Sequence, residues 1–152
     1  MPTPVSVNVI VPALLMGNSV LYKPSEYAAL TGHHIVRLLH TAGVPAHVLQ
    51  LLIGGGEVGS ALLNQRIDGL FFTGSHATGA RIAQALASRL VKVQLELGGK
   101  DPSYVRADAY PKMAAESLAD GAMYNTGQSC CSVERIYVHA SIHDEFVKHF
   151  LT

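Results

Sequence analysis

Two short polar segments carry the residues whose chemistry is hardest to explain as packing. Asn125-Thr126-Gly127-Gln128-Ser129-Cys130-Cys131 offers a thiol, and Leu95-Glu96-Leu97-Gly98-Gly99-Lys100 offers a carboxylate. A cysteine thiolate is a strong nucleophile, and a glutamate can take a proton from water. Cys130 and Cys131 could instead be two buried apolar thiols, the commonest fate of free cysteine, and Glu96 an ordinary loop carboxylate. Against burial, Asn125, Gly127, Gln128 and Ser129 form a polar run with no packing reason to enclose a thiol. Both segments read as loops that follow an apolar run, so a scaffold must deliver them.

Upstream, glycine-rich junctions suggest what else that scaffold holds. Gly54-x-Gly56-x-x-Gly59 follows the apolar run Val48 to Ile53 and has the spacing of a dinucleotide fingerprint. The motif is weak alone, and the expected acidic residue about 20 positions on is out of place. Asp68 precedes its strand rather than ending it. Phe72-Thr73-Gly74-Ser75-x-x-x-Gly79 is a second junction. Backbone N–H groups there could bind a pyrophosphate, or Ser75 could simply cap a helix. Lys23 and Glu26, in Lys23-Pro24-Ser25-Glu26, stand where ribose hydroxyls could be bonded. Taken alone, a solvated lysine and a first-turn glutamate are the stronger reading. The eight histidines include the adjacent pair His33-His34, and His139 with His143. Without a Cys or carboxylate cluster to complete a ligand set, they do not make a metal site.

The elements that must position these residues alternate. A helix closed by Gly17 leads to a strand over 19–22, stopped by Pro24. The spacing of Ala28, Ile35, Leu38 and Leu39 predicts a helix over 27–41, ended by Gly43 and Pro45. A strand over 48–53 leads to a short helix through Leu63, a strand over 69–72 to a helix over 77–88, and a strand over 91–95 delivers Glu96 at its end. This is the pattern of a parallel sheet covered by helices, with ligands at the strands' carboxyl ends. Beyond Lys100 a strand over 102–105, a helix over 111–124 started by Pro111, a strand over 135–138 and a helix from Ile142 open a second α/β unit that the terminus cuts short. The expected division is 1–98 and 99–152.

The totals bound the partners. Lys and Arg number 11, as do Asp and Glu, giving a formal net charge of zero, and no basic patch recommends nucleic acid. Charged residues make up 14% of the chain, low for a short domain whose surface should be charged, so other protein is expected to cover part of that surface. Two adjacent cysteines form no disulfide framework and fit a reducing compartment. The uncharged stretch Val5 to Tyr22 has no preceding basic residues and is broken by Asn8, Gly17, Asn18 and Ser19. It reads as a buried helix and strand rather than a membrane segment, which points to a cytoplasmic protein.

Taken together, the motifs resemble the aldehyde dehydrogenase superfamily. The matching stretches are Pro12-Ala13-Leu14 with Gly17-Asn18, Lys23-Pro24-Ser25-Glu26, Phe72-Thr73-Gly74-Ser75, Leu95-Glu96-Leu97-Gly98-Gly99-Lys100, and Asn125-x-Gly127-Gln128-x-Cys130 with Arg135. They run in the family's order over essentially the whole chain. The resemblance implies a Rossmann-like NAD-binding sheet followed by the start of a catalytic domain. It makes Cys130 the nucleophile and Glu96 the general base. Cofactor contacts would come from Lys23, Ser25 and Glu26 at the adenosine ribose, Gly54, and the turn Thr73, Gly74, Ser75, Thr78 and Gly79. Leu97 and Gly98 would lie beside the nicotinamide. Glu26 favours NAD, with NADP possible, and Glu96 favours hydrolysis over acyl transfer to coenzyme A.

The implied substrate is a small-molecule aldehyde, and the full-length form is expected to be a homo-oligomer. The family's oxyanion asparagine would fall just before Met1, and much of the catalytic domain after Thr152. The 152 residues are therefore expected to be part of a longer enzyme. Loss of one oxyanion donor costs about 100- to 1,000-fold in rate, so little turnover is expected of them alone. The alternative is a non-catalytic remnant that binds a nucleotide or associates with subunits.

Overall fold

The computed structural model describes residues 2–152, with side chains from Val5 onward. The chain divides into two compact units, one ending at Glu96 and the other running over Leu97–Thr152.

The first unit opens with helix α1 (Pro2–Leu15), which closes as its glycine predicts. Gly17 takes φ 80°, and the Asn18 N–H reaches back to the Ala13 carbonyl at 3.0 Å. Strand β1 (Val20–Tyr22) follows and pairs in parallel with β2 (Leu49–Leu51), Val20 opposite Leu49 and Tyr22 opposite Leu51. Between them runs α2 (Ala29–Thr41), preceded by a 3-10 turn over Glu26–Ala28. That turn takes the place of the helix's expected first residues, because the Ser25 hydroxyl accepts the Tyr27 N–H and tightens the entry.

Ile10, Val36 and Leu49 make the core here, with Leu14, Val20, Tyr22, Leu39, Val44 and Leu51 packed against them. Leu49 is fully buried, contributing about 1.5–3 kcal/mol of apolar burial. Two expectations change. Among the described side chains of α1 only Ile10 is buried, and Leu15 is 80% exposed, because α1 is apolar all round while its neighbours cover one side. On α2 the inward face is Gly32, Ile35 and Val36, leaving Leu38 exposed. Gly32 packs so closely on the strand exit that a Cβ there would stand 2.6 Å from Pro24 Cγ.

The rest of this unit comprises α3 (Gly56–Leu63), β3 (Gly69–Gly74), α4 (His76–Leu86) and all but the last residue of β4 (Lys92–Leu97). Strands β3 and β4 are paired. Gly79, Ile82 and Leu86 are the buried stripe of α4, at helical spacing. A 3-10 turn over Ala87–Arg89 extends α4, and the Arg89 guanidinium donates to the carbonyls of Leu63 and Gln65. This ties the exit of α3 to the exit of α4 and satisfies carbonyls a helix end leaves open.

The second unit is a βαβ arrangement with one added helix. Strand β5 (Asp101–Val105) pairs in parallel with β6 (Val133–Val138), with Tyr104 opposite Tyr137 and an irregularity between Asp101 and Pro102. Helix α5 (Pro111–Met123) bridges them, with Pro111 in its first turn. Helix α6 (His143–Phe150) follows a 3-10 turn at Ala140–Ile142. Val105, Ala115 and Phe146 form the core, and the rings of Phe146 and Phe150 stack with centroids 5.6 Å apart. The parallel pairs and flanking helices are those of an α/β protein. Among the described residues no helix is long and apolar enough to cross a membrane.

Candidate active site

The Cys130 loop is defined by its backbone. Asn125, Thr126 and Gly127 all lie in the left-handed region, with φ of 51°, 58° and 71°. Glycine accepts this freely, asparagine tolerates it, and a β-branched threonine is an outlier there. Local hydrogen bonds hold the turn. Asn125 Nδ2 donates to the Gln128 carbonyl at 2.9 Å, Gln128 Nε2 donates to Thr126 Oγ1 at 2.9 Å, and Thr126 Oγ1 donates to the Asn125 carbonyl at 2.6 Å. Ser132 anchors the far side. Its side chain is buried, and its hydroxyl donates to the Gly127 carbonyl at 3.3 Å.

The outcome is a turn that leaves Cys130 and Cys131 exposed as free thiols, not buried ones. Cys131 Sγ lies 3.2 Å from Ser129 Oγ. Strained backbone of this kind clusters at functional sites. The polar composition of the loop was legible in the sequence, but the three left-handed residues and the Ser132 anchor were not. A threonine gives no hint of positive φ, and only Asn125 and Gly127 are of types that accept it readily.

Glu96 stands inside β4 as its penultimate residue, not in a loop after it. Six residues alternate faces along this strand, which puts Glu96 on the exposed face with Gln94, whose amide donates to Glu96 Oε1 at 3.0 Å. Leu97 ends the strand, half-buried, and Gly98 follows it with open space where a Cβ would be. Gly99 comes next to the Cys130 loop: a Cβ there would lie 4.0 Å from the Cys130 carbonyl oxygen and 2.8 Å from Asp101 Oδ1. Within the second unit, Gly99 thus lies beside the backbone of Cys130.

The remaining candidates lie at strand ends and helix starts of the first unit. Lys23 is half-buried just beyond β1, and its ammonium donates to the Pro24 carbonyl at 2.9 Å. Ser25 and Glu26 are exposed on the following turn. Gly54 precedes α3, where a Cβ would meet Val58 Cγ2 at 2.2 Å, so close packing of the turn requires glycine. Thr73 and Gly74 end β3, and a Cβ on Gly74 would stand 2.5 Å from the Phe72 ring. Ser75 caps α4 by accepting the Thr78 N–H at 3.3 Å, while its own hydroxyl donates to Thr78 Oγ1 at 3.0 Å. The capping reading of Ser75 is therefore realised. Glu57 is a charged residue at these junctions that the motifs did not single out. It accepts the Gly55 N–H at 2.8 Å.

Comparison with known proteins decides the family. The sequence profile of the aldehyde dehydrogenase family matches residues 1–152. The chain belongs to the aldehyde dehydrogenase family. A D-glyceraldehyde dehydrogenase (NADP(+)) from Picrophilus torridus is 40% identical over 152 residues, covering 99% of this chain and 31% of the relative. Among solved structures, gamma-glutamyl-gamma-aminobutyraldehyde dehydrogenase from Burkholderia cenocepacia J2315 superposes with a TM-score of 0.94 at 38% identity, over 99% of this chain and 31% of that one. An indole-3-acetaldehyde dehydrogenase solved in complex with NAD+ gives a TM-score of 0.93 at 38% identity, over 98% and 31%. The chain thus spans about three-tenths of the length of these aldehyde dehydrogenases. Its α/β architecture is that of the family.

Proposed function

We propose that these residues supply the nucleophile, the general base and much of the dinucleotide surface of an enzyme that oxidises a small aldehyde to a carboxylic acid with NAD, or alternatively NADP. The observation that carries the reading is the exposed Cys130 thiol on its left-handed turn, in a chain matched throughout by aldehyde dehydrogenase sequence. In this reading the cofactor part is 1–98 and the catalytic part opens at 99.

The Cys130 thiolate adds to the aldehyde carbon, forming a C–S bond and a thiohemiacetal whose oxyanion needs aimed donors. NAD, when bound, supplies the acceptor for the hydride whose departure leaves a thioester on Cys130. Glu96 removes a proton from water, the resulting hydroxide adds to the thioester carbon, and the C–S bond breaks to release acid and thiolate.

The residues present fit the cofactor. With the Thr78 N–H capped by Ser75, the backbone N–H groups of His76 and Ala77 are those at the start of α4 that suit a pyrophosphate, with the Ser75 and Thr78 hydroxyls beside them. Lys23 suits the ribose hydroxyls, together with Glu26. Open space at Gly98 leaves room for a flat ring. We place the whole enzyme in the cytoplasm as a homo-oligomer with no nucleic-acid or membrane partner.

The test uses protein that contains these 152 residues. Cys130→Ser should abolish aldehyde-dependent reduction of NAD while Cys131→Ser retains it. Glu96→Gln should keep formation of the acyl-enzyme but slow its hydrolysis. Wild-type turnover in Cys130→Ser would refute the assignment.

A further inference from the structure

The turn leading into α3 carries a charged side chain that no step above uses. Glu57, the second residue of that helix, folds back so that Oε1 accepts the Gly55 N–H at 2.8 Å. Hydrogen bonds from its own backbone N–H and from Gly55, and then the Lys23 ammonium, hold its carboxyl below the ordinary glutamate range. Lys23 reaches the same turn from the end of β1, with Cε 3.8 Å from where a Cβ on Gly59 would stand. A fixed negative charge therefore sits on the backbone donors at the start of α3, beside the cation assigned above to the adenosine ribose.

From this geometry we infer that Glu57 is a specificity residue that disfavours a phosphorylated ribose, so that the site takes NAD in preference to NADP. The inference rests on the dinucleotide reading of Lys23 and Glu26. An anion arriving at a helix start ordinarily uses the N–H groups there, and Glu57 already occupies the Gly55 donor. A 2′-phosphate would meet a carboxylate in place of a free donor, and the Lys23 charge it would draw on is already partly balanced by Glu57. At physiological ionic strength charges are screened over about 8 Å, so groups sharing one turn still repel. NAD brings no charge to that position and is indifferent to Glu57.

The test is calorimetric titration of the full chain with NAD and with NADP, in the wild type, Glu57→Gln and Glu57→Ala, the fold of each being checked by circular dichroism. Removing one charge a few ångströms from a phosphate dianion in a largely aqueous setting should tighten NADP roughly tenfold. NAD affinity should stay within about twofold, since the cofactor lacks the charge that Glu57 repels. An unchanged ratio of the two dissociation constants in both variants, with wild-type binding intact, would overturn the role of Glu57 alone. Absence of binding of either nucleotide by folded wild type would overturn the dinucleotide reading and this inference with it. A second measurement needs no variant: competition by 2′-AMP against ADP-ribose on the wild type should be weak, and strong competition would count against the proposal.

Discussion

Asn125 and Gln128 close on each other from both ends of the turn before Cys130. The Asn125 amide donates to the Gln128 carbonyl at 2.9 Å, and the Gln128 N–H returns a bond to the Asn125 carbonyl at 3.1 Å. The side chain at one end and the backbone at the other fix a left-handed path that an unaided Asn-Thr-Gly segment would seldom hold. The thiol thereby follows a turn closed from both ends.

The first prediction concerns which thiol reacts. Both are exposed, but Cys131 Sγ is engaged at 3.2 Å by Ser129 Oγ and leads into the buried Ser132. Limited iodoacetamide treatment of folded protein, followed by peptide mass spectrometry, should find Cys130 alkylated several-fold faster. Replacing Asn125 by Ala, which removes the side-chain half of the closure, should narrow that difference. Faster labelling of Cys131 would move the nucleophile to its neighbour.

A second prediction tests the backbone. Gly127 sits at φ 71°, and a Cβ there would approach the Ala122 carbonyl oxygen at 3.4 Å, a tight but tolerable distance. The penalty for Gly127→Ala is then mainly conformational, about 1–2 kcal/mol for a left-handed non-glycine residue. The denaturant midpoint should fall by a corresponding amount with the slope unchanged. A neutral substitution would mean that the turn relaxes out of the left-handed region.

The third prediction follows from Glu57. Its folded pKa lies below the unfolded one, so its contribution to stability is present above the unfolded pKa and fades as pH falls through the folded value. Wild type should therefore lose slightly more melting temperature than Glu57→Gln when moved from neutral to acid pH. The difference is small because the side chain is exposed. In an NMR titration the Glu57 carboxyl should have its midpoint below those of unpaired glutamates. Replacing Lys23 by Met should raise that midpoint only partly, since the two backbone hydrogen bonds act more strongly. Full return to the ordinary value in that variant would make the lysine the dominant partner.

Much of the architecture follows from sequence alone because it rests on local rules. Gly17 and Gly43 stop helices where positive φ is required, at 80° and 102°. Pro111 starts α5, and the strand expected over 135–138 falls within β6, which pairing with β5 carries back to Val133. The order of the motifs likewise sufficed to name the family, since each is a short contiguous string. Burial and direction were decided only by tertiary structure. Leu38 keeps the helical rhythm of Ile35 yet faces solvent, because the covering strand lies against Gly32 and Val36. Glu96 lies within β4, the strand paired with β3, where the sequence pattern ended the strand at Leu95. The left-handed turn at Thr126 is held by local hydrogen bonds of Asn125, Gln128 and the buried Ser132, which arise only once the chain has turned. Periodicity reports that a residue has a face. What covers that face depends on groups distant in the chain, and what strain a turn can sustain depends on contacts that exist only in the folded state.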